Sequence, residues 1–221
     1  MRCVAVGIAL LIVGCGGTRI DPFRGIEILE DNEAPLPEPV DGDIYPEVLS
    51  VVSGKRGFDW GHGRAFIKAP AADVWAAIED PEVVMDRGRN NDRQSFELGV
   101  MPEWDLSYNI HYEVTGIISV EWTELWGGIL TIIEDCRSNG DENCDSLPWA
   151  LVKYQKVEGT TFIPLIEGTI LLFETEENVT EIQLIQHLDA ASSDASDIRQ
   201  TFRDQYSSIL ARVRGEPLPR F

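Results

Sequence analysis

S-D-A-S-D-I-R-Q-T-F-R-D-Q-Y-S-S-I-L-A-R-V-R, residues 193–214, is the stretch on which the fold turns. Ile198, Phe202, Tyr206, Ile209 and Val213 recur at steps of three and four, which lays one apolar stripe along an α-helix. Ser193 or Asp194 can cap its N-terminus, and Asp197 adds a negative charge to the first turn. Arg212 and Arg214 fall in the last turn, where the helix dipole favours cations, and Gly215 and Pro217 then stop the helix. Nearly everything between Phe58 and this helix reads as strands with alternating side chains. A long helix with one apolar face, arriving after a run of antiparallel strands, buries that face by lying across the concave side of their sheet. The function is therefore expected in the space between helix and sheet.

Working outward, the chain has 221 residues, enough for one domain with an adequate core. It carries 38 acidic against 18 basic residues, a net charge of −20. Such a chain is repelled by nucleic acid and by anionic membrane surfaces, and no basic cluster offsets this. Nucleic-acid binding is excluded, and the charge reads as a device for solubility.

Met1-Arg2 is a short positive start, and Cys3 to Val13 is an apolar run too short to span a bilayer. The run ends in Ile12-Val13-Gly14-Cys15. This resembles the bacterial lipobox, a small residue before a Cys. The resemblance implies a signal peptide over residues 1–14, cleavage before Cys15, and lipidation of Cys15 as the link to a membrane. Two or three acyl chains exceed what stable anchoring needs. An ordinary signal peptide or an uncleaved anchor is the alternative. Gly16 is not Asp, which by the enteric sorting pattern points to the outer membrane of the bacterial envelope, facing the periplasm. Export bears on the remaining cysteines. Cys136 and Cys144 bracket a polar loop with a turn at Asn139-Gly140. In an oxidising compartment two such residues pair as a disulfide, and closing so short a loop contributes about 2–3 kcal/mol. A metal site is the rival reading and would want two more ligands nearby.

Residues 15–46 hold Pro22, Pro35, Pro37, Pro39 and Pro46 among many carboxylates, with little to bury. They read as a flexible tether spanning roughly 30 Å, which lifts the domain, residues 47–221, off the membrane. Within it Gly25-Ile26-Glu27-Ile28-Leu29 can dock locally. Residues 45–53 read as a short amphipathic piece.

The first strand is expected at 58–68. Pro70 opens a short helix whose buried face is Val74, Trp75 and Ile78, and Pro81 breaks it. Further strands are expected at 93–100, 106–114, 117–126, 149–157, 166–174 and 180–188. A strand, Ala69-Pro70, a short helix with Val74-Trp75, then Asp80-Pro81, resembles the START-like superfamily. That group includes START lipid-transfer domains, the polyketide cyclase/dehydrase and lipid-transport family, and the birch-pollen-allergen type. Glu167 to Glu174 followed by Thr180 to Leu184 resembles the last hairpin of that family. His187-Leu188-Asp189-Ala190-Ala191 leads into the final helix in the same way. The resemblance covers residues 58–214 and rests on the ordered set. It implies an α+β helix-grip fold: a curved antiparallel sheet of six to seven strands wrapped around the long C-terminal helix. It also implies a cavity for a lipid or other hydrophobic small molecule. The polar insertion around Cys136 and Cys144 departs from the pattern and reads as a rim loop.

Alternation along the strands names the cavity wall. The ligand-binding set is Tyr108, Ile110, Tyr112, Val120, Trp122, Tyr154, Leu184 and Gln186 from the sheet, with Ile198, Phe202 and Tyr206 from the helix. The three strand tyrosines and Gln186 are the polar handles. Apolar walls with a few fixed polar groups are what such a pocket needs; the alternative for each residue is plain core. His111 and His187 fall on outward faces and read as solvated, while His62, between glycines, can line an entrance. Asp59, Asp105 and Glu124 can meet near a rim, though no spacing favours a cation there. Asn178 reads as a hairpin turn. No nucleophile elbow, zinc-protease, phosphate-loop or dinucleotide motif occurs, so no catalytic residue, metal or cofactor is assigned. The expected function is membrane-anchored binding or transfer of an apolar ligand. The alternatives are a cyclase-like or hydrolase-like enzyme, which would need acid–base groups in the cavity, and a protein-interaction module in the envelope.

Overall fold

A computed structural model describes residues 17–85, 93–115, 119–130, 147–191 and 193–221. Cys15, Cys136 and Cys144, with the roles expected of them, lie outside the described residues. In chain order the elements are β1 (Thr18–Arg19), β2 (Ser50–Lys55), β3 (Asp59–Ile67), α1 (Ala71–Ile78) and α2 (Pro81–Val84). Then come β4 (Arg93–Leu98), β5 (Leu106–Val114), β6 (Val120–Leu130), β7 (Ala150–Gly159), β8 (Leu165–Glu176), β9 (Val179–Asp189) and α3 (Ala195–Val213).

The strands form one curved antiparallel sheet in the order β2-β3-β9-β8-β7-β6-β5-β4, with β1 added beside the end of β7. With α3 against its inner face, this is the helix-grip arrangement. The sheet has more strands than expected because residues 50–55 pair with β3 instead of forming a separate amphipathic piece, and because Thr18–Arg19 pair with β7. The β8–β9 hairpin turns at Glu177-Asn178, where Asn178 takes a φ of 65°, a conformation Asn tolerates better than most residues.

The terminal helix is built from its own ends inward. The Asp194 carboxylate accepts from the Ser196 N–H at 2.6 Å, and Asp197 accepts from the Asp194 N–H at 2.9 Å. At the other end Gly215, at a φ of 66°, donates to Arg212 O, while Glu216 donates to Ala211 O. Those two bonds close the helix with a left-handed glycine. Ile198, Phe202, Tyr206 and Ile209 are buried, and Val213 is partly buried against the same core. The helix comes unusually near β3. A Cβ added at Gly61 would stand 2.4 Å from Ile198 Cγ2 and 3.3 Å from Phe202. The Tyr206 hydroxyl donates to Phe66 O at 2.8 Å. On the other half of the sheet α1 lays Trp75 over Gly128, and the Tyr108 hydroxyl donates to Ile78 O at 3.1 Å.

The outer face is covered as well. Residues 17–46, expected to be a tether, lie as a strap across it. Phe23 stacks on Trp104 at 5.0 Å, and Ile26 and Leu29 pack on Leu151, Leu171 and Ile185. The Asn32 amide donates to Gly63 O and Leu184 O, and Ala34 is buried. The reason lies in the central strands, which are apolar on both faces and so require a cover on the outer side. Three apolar residues spaced through the acidic segment supply it.

The strap also changes the reading of two histidines. His187 was expected in solvent but is 7% exposed, and His62 lies fully buried on the outer face of β3, away from the cleft entrance. The Glu33 N–H donates to His62 Nδ1 at 2.8 Å, so the ring proton sits on Nε2, which donates to Glu30 Oε1 at 2.7 Å. His187 Nε2 donates to the same oxygen at 3.0 Å, and its Nδ1 faces Glu167 Oε1 at 3.1 Å. Burial opposes the charged form of His187, but the hydrogen bonds and fields of Glu167 and Glu30 outweigh it and raise its pKa. Burial likewise opposes the Glu30 carboxylate, and its bonds to His187 and His62 reverse that, leaving its pKa lowered.

Candidate functional site: a cleft between helix and sheet

The site begins with a bulge. Thr123 pairs with Glu158 but Glu124 pairs with Lys156, so Val157 is an extra residue on β7. Upstream of it Ala150, Val152, Tyr154 and Lys156 share the inner face. Opposite, the inner face of β6 carries Trp122, Glu124 and Trp126. Tyr112 stacks on Trp122 with centroids 4.8 Å apart, and Trp126 stacks on Tyr154 at 4.2 Å. Glu124 sits between the two stacks. Its Oε1 accepts from Trp122 Nε1 at 2.9 Å and its Oε2 from Trp126 Nε1 at 3.1 Å.

These residues wall an inner chamber of about 220 Å³, completed by Gln186 and by Thr201 and Gln205 of α3. The chamber shares Val84, Trp122, Ile166, Leu188, Thr201 and Gln205 with an outer cleft of about 340 Å³. The outer part runs between α2, the β7–β8 loop at Ile163, and α3 at Asp197, Asp204 and Ser208. Its size lies in the range of small-molecule sites.

The structure divides the residues expected to bind ligand. Tyr112, Trp122, Tyr154 and Gln186 line the chamber. Tyr108, Ile110, Leu184, Ile198, Phe202 and Tyr206 belong to the packed core and line neither part of the cleft. Val120, at the start of β6, is partly buried and lines neither part. The physical reason is the close approach at Gly61. The apolar stripe of α3 is used up against β3 and its neighbours, so the cleft meets a second stripe, Asp197, Thr201, Asp204, Gln205 and Ser208, at helical spacing. Period 3.6 marks the apolar stripe; that the polar stripe faces the hollow depends on where the helix docks.

Sequence reasoning passed over Glu124 as a rim carboxylate, although strict alternation from Trp122 places it inside. It is 7% exposed. Asp59, Asp105 and Glu124 do not meet. Asp59 takes Lys55 and Ser193, Asp105 accepts from the Leu130 N–H at 2.8 Å, and Glu124 takes the two indoles. Among the described residues no three potential ligands gather as a metal site. Lys156, the cross-strand neighbour of Glu124, is buried with its amine donating to Thr160 O and Ile163 O, and burial lowers its pKa. Burial, with Glu124 and Glu167 adding to it, raises the Tyr154 phenol well above its ordinary range, so it stays a neutral hydroxyl. Burial does the same to Tyr108, reinforced by Asp80 and Glu124.

No family model matches the sequence, and no curated protein matches it. Solved structures do resemble it. The lipid transfer and protein localization domain of human StarD13 is 10% identical, with a TM-score of 0.48, over 77% of this chain and 85% of that one. Human STARD10 is 10% identical, with a TM-score of 0.48, over 74% and 69%. A truncated norcoclaurine synthase from Thalictrum flavum is 13% identical, with a TM-score of 0.44, over 77% and 96%. At such identities the likeness concerns the arrangement of elements alone.

Proposed function

We propose that this chain is a START-like carrier that holds a lipid or other hydrophobic small molecule in the cleft between α3 and the sheet. The observation that supports this most is the chamber itself. The helix spends its apolar stripe on the sheet, and yet two stacked aromatic pairs stand beside a hollow that opens through the outer cleft. A solid scaffold has no use for that void, since an unfilled cavity destabilises the protein that contains it.

The proposal includes an anchor at a lipidated Cys15, on the periplasmic side of a bacterial outer membrane. Only two residues, Gly16 and Gly17, separate Cys15 from Thr18, at most about 10 Å of chain over three steps. Thr18 pairs with Gly159, which also pairs with Trp122 of the cleft wall. With residues 17–46 strapped to the sheet, an anchor at Cys15 holds the cleft mouth beside the bilayer instead of lifting it clear. That placement suits loading from the membrane. A cyclase-like enzyme is the second reading. It is favoured by one observation, an ionisable group, Glu124, in the chamber wall.

The test is mass spectrometry of the purified full chain. One apolar molecule per chain is expected after solvent extraction, along with an acyl mass on Cys15 that Cys15→Ser removes. A chain recovered empty, which also takes up no fluorescent apolar probe, rejects the carrier reading. Catalytic turnover of the extracted molecule would favour the enzyme.

A further inference from the structure

One lining residue of the outer cleft, Phe221, comes from the segment that follows α3. Past the helix the chain turns at Gly215, at a φ of 66°, and Glu216 donates to Ala211 O at 2.8 Å. Pro217, Leu218, Pro219, Arg220 and Phe221 follow. The two prolines each fix φ and stiffen the segment. Six residue steps from Gly215 to Phe221 reach about 19 Å in the extended form that proline favours. Returning along α3 from Gly215 takes about 11 Å to Ser208 and about 17 Å to Asp204. That reach fits the contact, because Phe221 lines the outer cleft together with Val83, Val84 and Met85 at α2 and with Ser208 of α3.

We infer that residues 216–221 are a displaceable plug: the Phe221 ring occupies apolar wall that the ligand body needs, and the segment leaves when a ligand enters. This rests on the carrier reading above and deepens it. The two sides of the contact are held differently. Arg212 of α3 pairs with Asp80 and, at 3.9 Å, with Glu82, which ties α2 to the helix. Arg214 pairs with Glu47 at 2.6 Å, which pins the end of α3 to the residues before β2. The segment beyond Gly215 is packed on the core through Leu218, a partly buried side chain. A segment held by few buried apolar contacts opens at the lowest cost. Gly215 is its hinge, and the prolines make ring and backbone swing as one piece. The plug also keeps Val83, Val84 and Met85 from facing water when the cleft holds no ligand, since apolar surface is favoured out of water.

The experiment measures binding of N-phenyl-1-naphthylamine, a neutral apolar fluorophore, to the purified full chain, with the association rate read by stopped flow. A ring seated about nine-tenths of the time makes the parent bind about tenfold more weakly than an open cleft. Phe221→Ala should therefore bind the probe about three- to tenfold more tightly, with the gain in the association rate. Leu218→Ala loosens the segment at a residue that is not among those lining the cleft. It should move the affinity in the same direction by a smaller factor. Weaker binding by Phe221→Ala, through faster dissociation, makes Phe221 a fixed part of the wall and overturns the plug while leaving the carrier reading standing. Equal affinity of the parent and Phe221→Ala overturns it in the same way. Uptake by the variants with none by the parent supports the plug. If neither the parent nor the variants take up the probe, the carrier reading falls and the plug with it.

Discussion

Replacing Gly61 with Ala tests whether α3 is gripped by the sheet in the way described. The added Cβ would lie 2.4 Å from Ile198 Cγ2, whereas two carbons rest comfortably at about 3.5–4.0 Å. About 1.1–1.6 Å of room must be found. Ile198 is 0% exposed and cannot swing into solvent, so the helix or the strand must move. Overpacking of this kind costs about 1–3 kcal/mol. The loss of backbone freedom in the unfolded chain on replacing Gly returns about 0.4–1 kcal/mol. At mid-range the two leave a net destabilisation of about 1.3 kcal/mol, with about 2.6 kcal/mol as the upper end, a fall in Tm of about 3–5 °C at mid-range for a chain of this size. Urea unfolding followed by tryptophan fluorescence reads it as a lower midpoint at constant slope. Ile198→Ala removes the obstructing methyl and by itself costs about 2–5 kcal/mol through the cavity it leaves. In the double variant the new methyl occupies part of that cavity, so the combined loss should fall short of the sum by about 1 kcal/mol or more. Gly25→Ala, whose Cβ meets nothing nearer than 3.9 Å, serves as a control and should stay within about 0.5 kcal/mol of the parent. A neutral Gly61→Ala, or strict additivity with Ile198→Ala, refutes the close approach and with it the account of why the second stripe of α3 faces the cleft.

Two other outcomes follow from the geometry. The strap is held by Glu30 between His62 and His187, with Glu167 on the far side of His187 and Arg56 paired to Glu30 and Glu33. Because the His187 pKa is raised in the folded chain, its contribution is complete below its ordinary value of 6.5 and is lost as pH rises through the raised one. Because that of Glu30 is lowered, its contribution is complete above 4.5 and is lost as pH falls through the lowered value. Amide exchange in residues 26–34, corrected for its intrinsic pH dependence, should therefore show most protection between these values and less toward pH 9. His187→Gln should flatten the alkaline fall, and an unchanged profile in that variant disproves the latch. Tyr206→Phe deletes the buried donor to Phe66 O and should cost about 1 kcal/mol in urea unfolding; a value near zero would mean the bond is not made.

What the sequence determined by itself was whatever depends on local period. Ile198, Phe202, Tyr206 and Ile209 mark the helix, Asp194 and Gly215 mark its ends, and the alternation in residues 106–114 gives β5 with its inner face. The order of strands and helices resembles that of the START-like superfamily, and this resemblance implied the helix-grip fold. Four chamber residues, Tyr112, Trp122, Tyr154 and Gln186, followed from the same alternation. Tertiary structure decided the rest because it depends on what each face meets. The strap over Leu151, Leu171 and Ile185 could not be read from an acidic, proline-rich segment, since the apolar face that holds it belongs to strands more than a hundred residues away. His62 and His187 change from surface groups to a buried pair for the same reason. Glu124 carries the pattern of an inner residue and the charge of an outer one. Only the two indoles that close over it, brought beside Gln186 and Gln205 by the fold, settle that it belongs in the chamber.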